Sequence, residues 1–460
     1  MSAEAASTLP PRSRGEQLAS YIGSTHARRF PDEVIDAAKK ALVDFMGVAV
    51  GAYREDAAVA VRTAAESWCA QGKAQVFLGG CTTPALAALV NGTMAHCMDF
   101  DDTHPAGAGH PSAPCWSAAL AVAQHHGASE QEALASFITG FEVMARLGGG
   151  FMPGVGRGLQ RRGLHPTSVF GRAGAAAVTC ALLRLPEIQI GHALGVAATT
   201  AGGLVGSFGT HSKPFHAGKA AMDGILAAQL AASKFEAATN LFELDKGLLD
   251  ALIQDKQVEV PPLDFDARWE LLANGFKPFA CCRATQASTQ AARSLAARVG
   301  QHKVARVHAK VHTNALVTAG KLAPTTPLEC KFSVPFCIAM GLRGYRAVAP
   351  DFCEATLNDP AVAQIVPLVQ LEAVAGQPNH EAHLDVYLDN GEHLHAHTEI
   401  VIGHPDNPMG WDDLRTKFTG LVEPVLGEAG AQRLYKTLRR FDTPGALQQV
   451  MQLVAAPAAT

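Results

Sequence analysis

The stretch PDEVIDAAKKALVDFMGVAV, residues 31–50, sets Val34, Ile35, Ala38, Leu42, Phe45, Met46 and Ala49 three or four positions apart. That spacing is one buried stripe of an α-helix and predicts a helix from about Pro31 to Val50. The same period persists from about residue 15 to 265. Ser129 and Glu132 form a capping-box signature ahead of Leu134, Phe137, Ile138, Phe141 and Met144, and further stripes run through 172–183, 187–200 and 217–234. Alanine and glycine crowd these segments and let helix axes approach closely. A compact bundle of many helices, its middle members buried all round, is expected.

Beyond about residue 270 the period changes. Val307, Ala309 and Val311 alternate with His308, Lys310 and His312, and Leu384, Val386 and Leu388 alternate with His383, Asp385, Tyr387 and Asp389. These read as half-buried strands. Asp389-Asn390-Gly391 is a hairpin turn leading to a third alternating run that ends at Ile402, while Phe332–Leu342 and Pro360–Leu368 read as helices. The expected fold is therefore mainly α, with two domains. A large all-α helical bundle takes residues 15–268 together with 405–460, and a smaller α+β domain takes 269–404. His404 to Pro408 links the second to terminal helices at about 411–426 and 428–440, positioned to pack back on the first.

At 460 residues, 38 Lys+Arg against 42 Asp+Glu give a net charge of -4 with no basic block. Nucleic acid and membrane surfaces are thus not expected partners. Ten cysteines without a C-x-x-C pair argue against a disulfide framework or structural zinc and for reduced thiols in a cytoplasmic protein. Met1 to Arg14 reads as a disordered lead-in, and no apolar run reaches the length of a membrane span.

Chemistry is densest in Asp99-Phe100-Asp101-Asp102-Thr103-His104-Pro105-Ala106-Gly107-Ala108-Gly109-His110, where a helix must open into a loop. Simple capping needs one carboxylate, not three. Paired aspartates also hold magnesium in helical enzymes of prenyl diphosphates, but no second acidic cluster at helical spacing supports that, and no metal or cofactor is expected. Three other segments place a basic group beside a proline at a helix entrance or turn: Gly163-Leu164-His165-Pro166, Thr210 to Gly218 around Lys213-Pro214, and Lys277-Pro278-Phe279-Ala280-Cys281-Cys282-Arg283. The last lies at the proposed domain junction, a natural ligand cleft. His308, His312, His393, His395 and His397 alternate on strands and could ligate metal, but the polar outward face of strands is the leading reading. Gly154 to Gly158 lacks the glycine spacing of a dinucleotide loop, and Cys282 has no evident base partner for a covalent role.

Met98 to Thr103 with His110-Pro111-Ser112, then Gly163 to Pro166, Thr210 to Gly218 and Lys277 to Arg283, in that order along the chain, resemble the MmgE/PrpD family. That family contains 2-methylcitrate dehydratase, cis-aconitate decarboxylase and iminodisuccinate epimerase. The resemblance implies a large helical domain with a smaller α+β lid, a homodimer, and catalysis without a cofactor. It also implies that Asp99, Thr103, His110, His165, Lys213 and Lys277 line a pocket between bundle and lid, with Cys282 and Arg283 as further substrate contacts. Two departures stand out: Gln286 occupies a position where many relatives carry histidine, and Phe336 aligns near a tyrosine of the decarboxylase.

The chemistry implied is making or breaking a C–H bond next to a carboxylate. Lys213 and Lys277 would hold substrate carboxylates, each well-placed donor contributing roughly 3–4 kcal/mol to the charge that develops. His110 and His165, taken as near their ordinary pKa, would exchange protons as general acid and base, Asp99 would orient an imidazole, and Thr103 would bind a carboxylate oxygen. The leading expectation is a lyase that removes water from a small hydroxy di- or tricarboxylic acid. Epimerisation, decarboxylation of a related acid, and a silent anion-binding protein are the alternatives.

Overall fold

A computed structural model describes residues 12–107, 109–149, 154–243, 245–254, 257–266 and 268–455. Ala108 and most of the expected lead-in, residues 1–11, lie outside this set. The end of that lead-in is helical: Ser13 caps Arg14–Gly23, its hydroxyl accepting from the Glu16 amide while the Glu16 carboxylate accepts from the Ser13 amide.

The chain is mainly α, 58% helical. The quoted stretch forms the helix Asp32–Gly51, and from Ala41 to Val50 every residue is buried, so the stripe widens into a helix enclosed on all sides. The terminal helix Trp411–Arg439 lies along it, and Pro84–Cys97 also packs against it. Trp411–Arg439 bends at Gly427 (φ 70°), which separates the two helices expected there. One buried charge pair fastens the contact: Lys417 Nζ stands 2.6 Å from Asp44 Oδ1 and also donates to the Phe100 carbonyl at 2.6 Å.

Small residues set the tightest crossing. Ser212–Ala232 packs against Pro84–Cys97 so closely that a Cβ on Gly218 would stand 2.1 Å from the Leu89 carbonyl oxygen, and one on Gly92 2.8 Å from the Gly218 Cα. The crossing brings the C-terminal end of one helix, with His96, to the N-terminal end of the other, with Lys213.

The four-stranded sheet has the order Val369–Val374, Val304–His312, Ala382–Leu388, His393–Thr398, the first pair parallel and the others antiparallel. Gln286–Val299 covers its inner face and packs in turn on Val334–Leu342. Gly391 (φ 88°) makes the hairpin turn. Three expectations change. The third alternating run stops at Thr398, four residues before Ile402. Pro360–Leu368 is a short helix, Pro360–Ala363, followed by a 3-10 turn at Val366–Leu368, because Pro367 has no N–H to continue the ladder. Strand Val369–Val374 was not anticipated, nor were the hairpin Ala74–Gln75/Cys81–Thr82 and the helix Ala446–Leu453. Among the described residues no helix is long and apolar enough to cross a membrane. All ten cysteines are free thiols.

Candidate active site

The Asp99–His110 loop is strapped on both sides. Helix Pro84–Cys97 ends at Met98, and Asp99 then takes a left-handed backbone (φ 51°), unusual for a residue other than glycine. Thr103 and Gly275 exchange two backbone hydrogen bonds of 2.8 and 2.9 Å. The loop closes with the His110 amide donating to Thr167 Oγ1 at 3.0 Å, one residue beyond the proline that starts helix Pro166–Leu182.

These straps gather a buried charge cluster around Asp99. Its Oδ1 stands 2.5 Å from Lys213 Nζ, 3.1 Å from Lys277 Nζ and 4.0 Å from His110 Nε2. Burial alone would raise this carboxyl, but the two ammonium groups outweigh it and hold Asp99 well below the usual carboxylate range. Asp101 is likewise depressed: against the cost of burial it is held ionised by His110, whose Nδ1 lies 3.2 Å away, and by His96, whose Nδ1 lies 2.8 Å away. His96 Nε2 is 3.0 Å from Lys213 Nζ. The ammonium can only donate there, so His96 carries its proton on Nδ1 and gives it to Asp101. Burial, partly offset by Asp101, brings His96 down to about 3. Asp102 has a different task, accepting from Ser112 Oγ (2.5 Å) and Asn274 Nδ2 (2.6 Å), and burial raises it to about 7.

A cavity opens beside this cluster. Asp99, Thr103, His110, His165, Lys213, Cys282 and Arg283 all line it. Lys277 does not. Wholly buried, it is committed to Asp99, donating to the backbone carbonyl at 2.7 Å as well as to Oδ1, so it reaches a ligand only through Asp99. Two assigned roles also change. Asp101, not Asp99, orients the imidazoles, because the lysines occupy Asp99. The histidines do not stay near their ordinary pKa: burial lowers both His110 and His165, and Lys213 pushes His165 further down. Both are neutral at pH 7. The Cys282 thiol is raised by burial and by Asp99, which makes it a poor nucleophile.

Several polar atoms facing the cavity lack a protein hydrogen-bond partner. They are Asp99 Oδ2, Thr103 Oγ1, both terminal nitrogens of Arg283, and Asn379 Oδ1, all buried. Desolvation, and then repulsion from Arg157, brings Arg283 down to about 10. Arg157 lines the same wall and was missed in the sequence, where it sits inside the dismissed Gly154–Gly158 run. His96 was missed as well, although it stands three residues before Asp99 at the end of a helix. His216, with Nδ1 3.2 Å from His165 Nδ1, is the third omission.

His96, Asp99, Asp101 and His110 offer four donor atoms close enough to ligate one cation. Lys213 already presents its ammonium to two of these side chains, Asp99 and His96, and its charge opposes a metal ion there. Gln286 and Phe336 lie outside the cavity lining. Gln286 bridges backbone groups of Phe279 and Cys281, and Phe336 is buried in the core near Phe352.

The MmgE/PrpD N-terminal domain matches residues 16–261 and the MmgE/PrpD C-terminal domain residues 279–443. The chain is 26% identical over 455 residues to cis-aconitate decarboxylase of Homo sapiens, an alignment covering 93% of this chain and 91% of that protein. It is 27% identical over 380 residues to cis-aconitate decarboxylase of Mus musculus, covering 78% and 76%. To cis-aconitate decarboxylase of Aspergillus terreus it is 24% identical over 464 residues, covering 93% of each.

Proposed function

The chain belongs to the MmgE/PrpD family, and from that premise we propose that it is a lyase acting next to a carboxylate of a small di- or tricarboxylic acid, with the sheet-bearing region serving as lid over the helical bundle. The observation that carries the reading is the set of buried, unpartnered polar atoms that converge on one cavity. Its lining sets three cations (Arg157, Lys213 and Arg283) against one carboxylate (Asp99), an excess of two positive charges suited to a polyanion. The Arg283 side takes one substrate carboxylate, and Lys213 with Thr103 takes the one beside the reacting carbon.

His110 is the proton carrier in this proposal. Its Nδ1 faces Asp101, which stabilises the imidazolium formed when Nε2 accepts a proton from carbon. His165 faces Lys213 and His216 instead, and nothing anionic beside it favours a positive charge. As the C–H bond breaks, negative charge spreads onto the neighbouring carboxylate, where Lys213 offsets it. The C–H electrons become the new double bond, the β-hydroxyl leaves, and the imidazolium returns its proton to that hydroxyl, so water is the second product.

Decarboxylation is the second reading, favoured by the named relatives. There a C–C bond to a carboxylate breaks, carbon dioxide leaves, and the carbon left behind takes up a proton that His110 relays from solvent. Proton NMR in D₂O with a panel of hydroxy and unsaturated polycarboxylic acids separates the outcomes. New vinyl signals with loss of water support elimination, and release of carbon dioxide supports decarboxylation. Deuterium entering without a new product indicates epimerisation, and no change across the panel defeats the lyase proposal. A homodimer belongs to the proposal too, read by light scattering.

A further inference from the structure

The outward face of the sheet holds an arrangement that the proposed reaction does not use. His383 and His397 are directly paired across Ala382–Leu388 and His393–Thr398, and their rings stack 3° from parallel with centroids 4.0 Å apart. Both present Nε2 to the same atom, Glu381 Oε1, at 3.0 and 3.1 Å. The three side chains are between 22 and 38% exposed, so an ion in solution reaches them without opening the fold. The alternation that marks these histidines as an outward face is correct, but it does not foresee that their nitrogens converge.

We propose that Glu381, His383 and His397 form a binding site for a borderline divalent transition-metal ion such as Zn²⁺. All three donor atoms lie within 4.8 Å of one another, so small rotations of exposed side chains bring each to the roughly 2.0–2.2 Å that zinc requires. Two imidazole nitrogens with one carboxylate oxygen suit zinc, nickel or copper rather than the all-oxygen preference of magnesium and calcium. The local charge agrees: Glu381 and Asp385 are the nearby anions, and Asp385 itself holds His393 at 2.8 Å and His395 at 3.1 Å on the same face. Lys310, in register with His383 on the next strand, is the opposing cation, and it makes no ion pair with the site. A bound ion would tie the edge strand His393–Thr398 to its neighbour and leave a coordination position open to solvent.

The test is calorimetric titration of tag-free, full-length protein with Zn²⁺, with Cu²⁺ as a paramagnetic probe of nitrogen ligation. Wild type is expected to bind one equivalent at this site, with two nitrogens coupled to the Cu²⁺ signal. His397→Ala and His383→Ala are each expected to weaken that equivalent at least as much as loss of an outer partner does, about 10–100-fold, with the proposed lyase activity unchanged. His110→Ala, which alters the buried cluster, and His393→Ala, which alters the neighbouring pair, are expected to retain it. Absence of saturable binding to wild type overturns the proposal. So does binding that survives both His383→Ala and His397→Ala, or binding lost in His110→Ala.

Discussion

Replacing Lys213 by methionine removes the one ammonium that lines the cavity among the described residues while nearly preserving side-chain length. Lys213 is 4% exposed, stands 2.5 Å from Asp99 Oδ1 and 3.0 Å from His96 Nε2, and lies 5.3 and 5.5 Å from the ring centroids of Phe208 and Phe332. As the donor nearest the developing charge, its loss is expected to cost about 2.7–4 kcal/mol of transition-state stabilisation, or about 10²–10³ in kcat. Stranding a buried charge costs about 3–5 kcal/mol of stability. Here Lys277 stays 3.1 Å from Asp99, so the stability loss falls toward or below the lower figure. Lys277→Met is the contrast: among the described residues that ammonium pairs with Asp99 alone, so its removal acts on the proposed catalysis through the Asp99 charge and on stability directly. Steady-state kinetics on the acid identified by the panel, paired with thermal melts, read both effects. A Lys213→Met enzyme that keeps kcat within about tenfold of wild type would refute the role given to this cation.

His110→Gln is expected to lower turnover at least about a hundredfold with the fold retained by circular dichroism, and full activity removes that residue from the mechanism; His165→Ala, which removes a lining imidazole that carries no proton in the proposal, is expected to lower turnover less than His110→Gln does. Activity is expected to survive EDTA, because ammonium groups occupy the charge-stabilising positions; a chelator-sensitive rate would point to a metal at the buried histidine–aspartate cluster. His96, lowered to about 3 by burial, is neutral in the folded chain while the unfolded chain takes up a proton below about 6.5. Its stabilising contribution is therefore complete above that pH and declines as pH falls toward 3. Asp102 and Glu142, both raised to about 7 by burial, have the opposite sign, so urea melts of wild type and His96→Gln should be compared between pH 7 and 5, with the variant losing less on acidification. Gly218→Ala pushes a methyl against the Leu89 carbonyl at the crossing that aligns Lys213 with His96; it is expected to destabilise by about 1–3 kcal/mol and to slow turnover, and an unaffected melting temperature contradicts the packing argument.

The legible parts of this molecule are those where one physical rule acts alone. Apolar spacing of 3.6 or 2 placed Asp32–Gly51 and the strands around Val307 and Val386, because burial on one face controls both. Strand Val369–Val374 escaped because it lies at the sheet edge, where only Val369, Leu371 and Val374 are partly covered and Glu372 points to solvent. The site divides in the same way. Asp99, Thr103, His110, His165, Lys213 and Arg283 were legible as ionisable or polar groups at forced bends, and they do line one cavity. Lys277 was legible as a cation but not as a buried one, since depth depends on packing partners more than a hundred residues away.

What the sequence could not disclose is how the carboxylates share their partners. Asp99, Asp101 and Asp102 are near neighbours in the chain, yet the left-handed turn at Asp99 sends each to a different set of groups: two lysines, two histidines, and a serine–asparagine pair. The partition matters for the proposed reaction, in which His110 carries the proton. One carboxylate flanked by two ammonium groups stays ionised and keeps those cations in place, while a second holds the proton-carrying imidazole. The third, raised to about 7, anchors the helix that follows. Exchanging the duties of Asp99 and Asp101 would leave His110 without its anion and Lys213 without its anchor, so under the proposed mechanism the order of residues in this loop fixes which group moves a proton and which group holds charge.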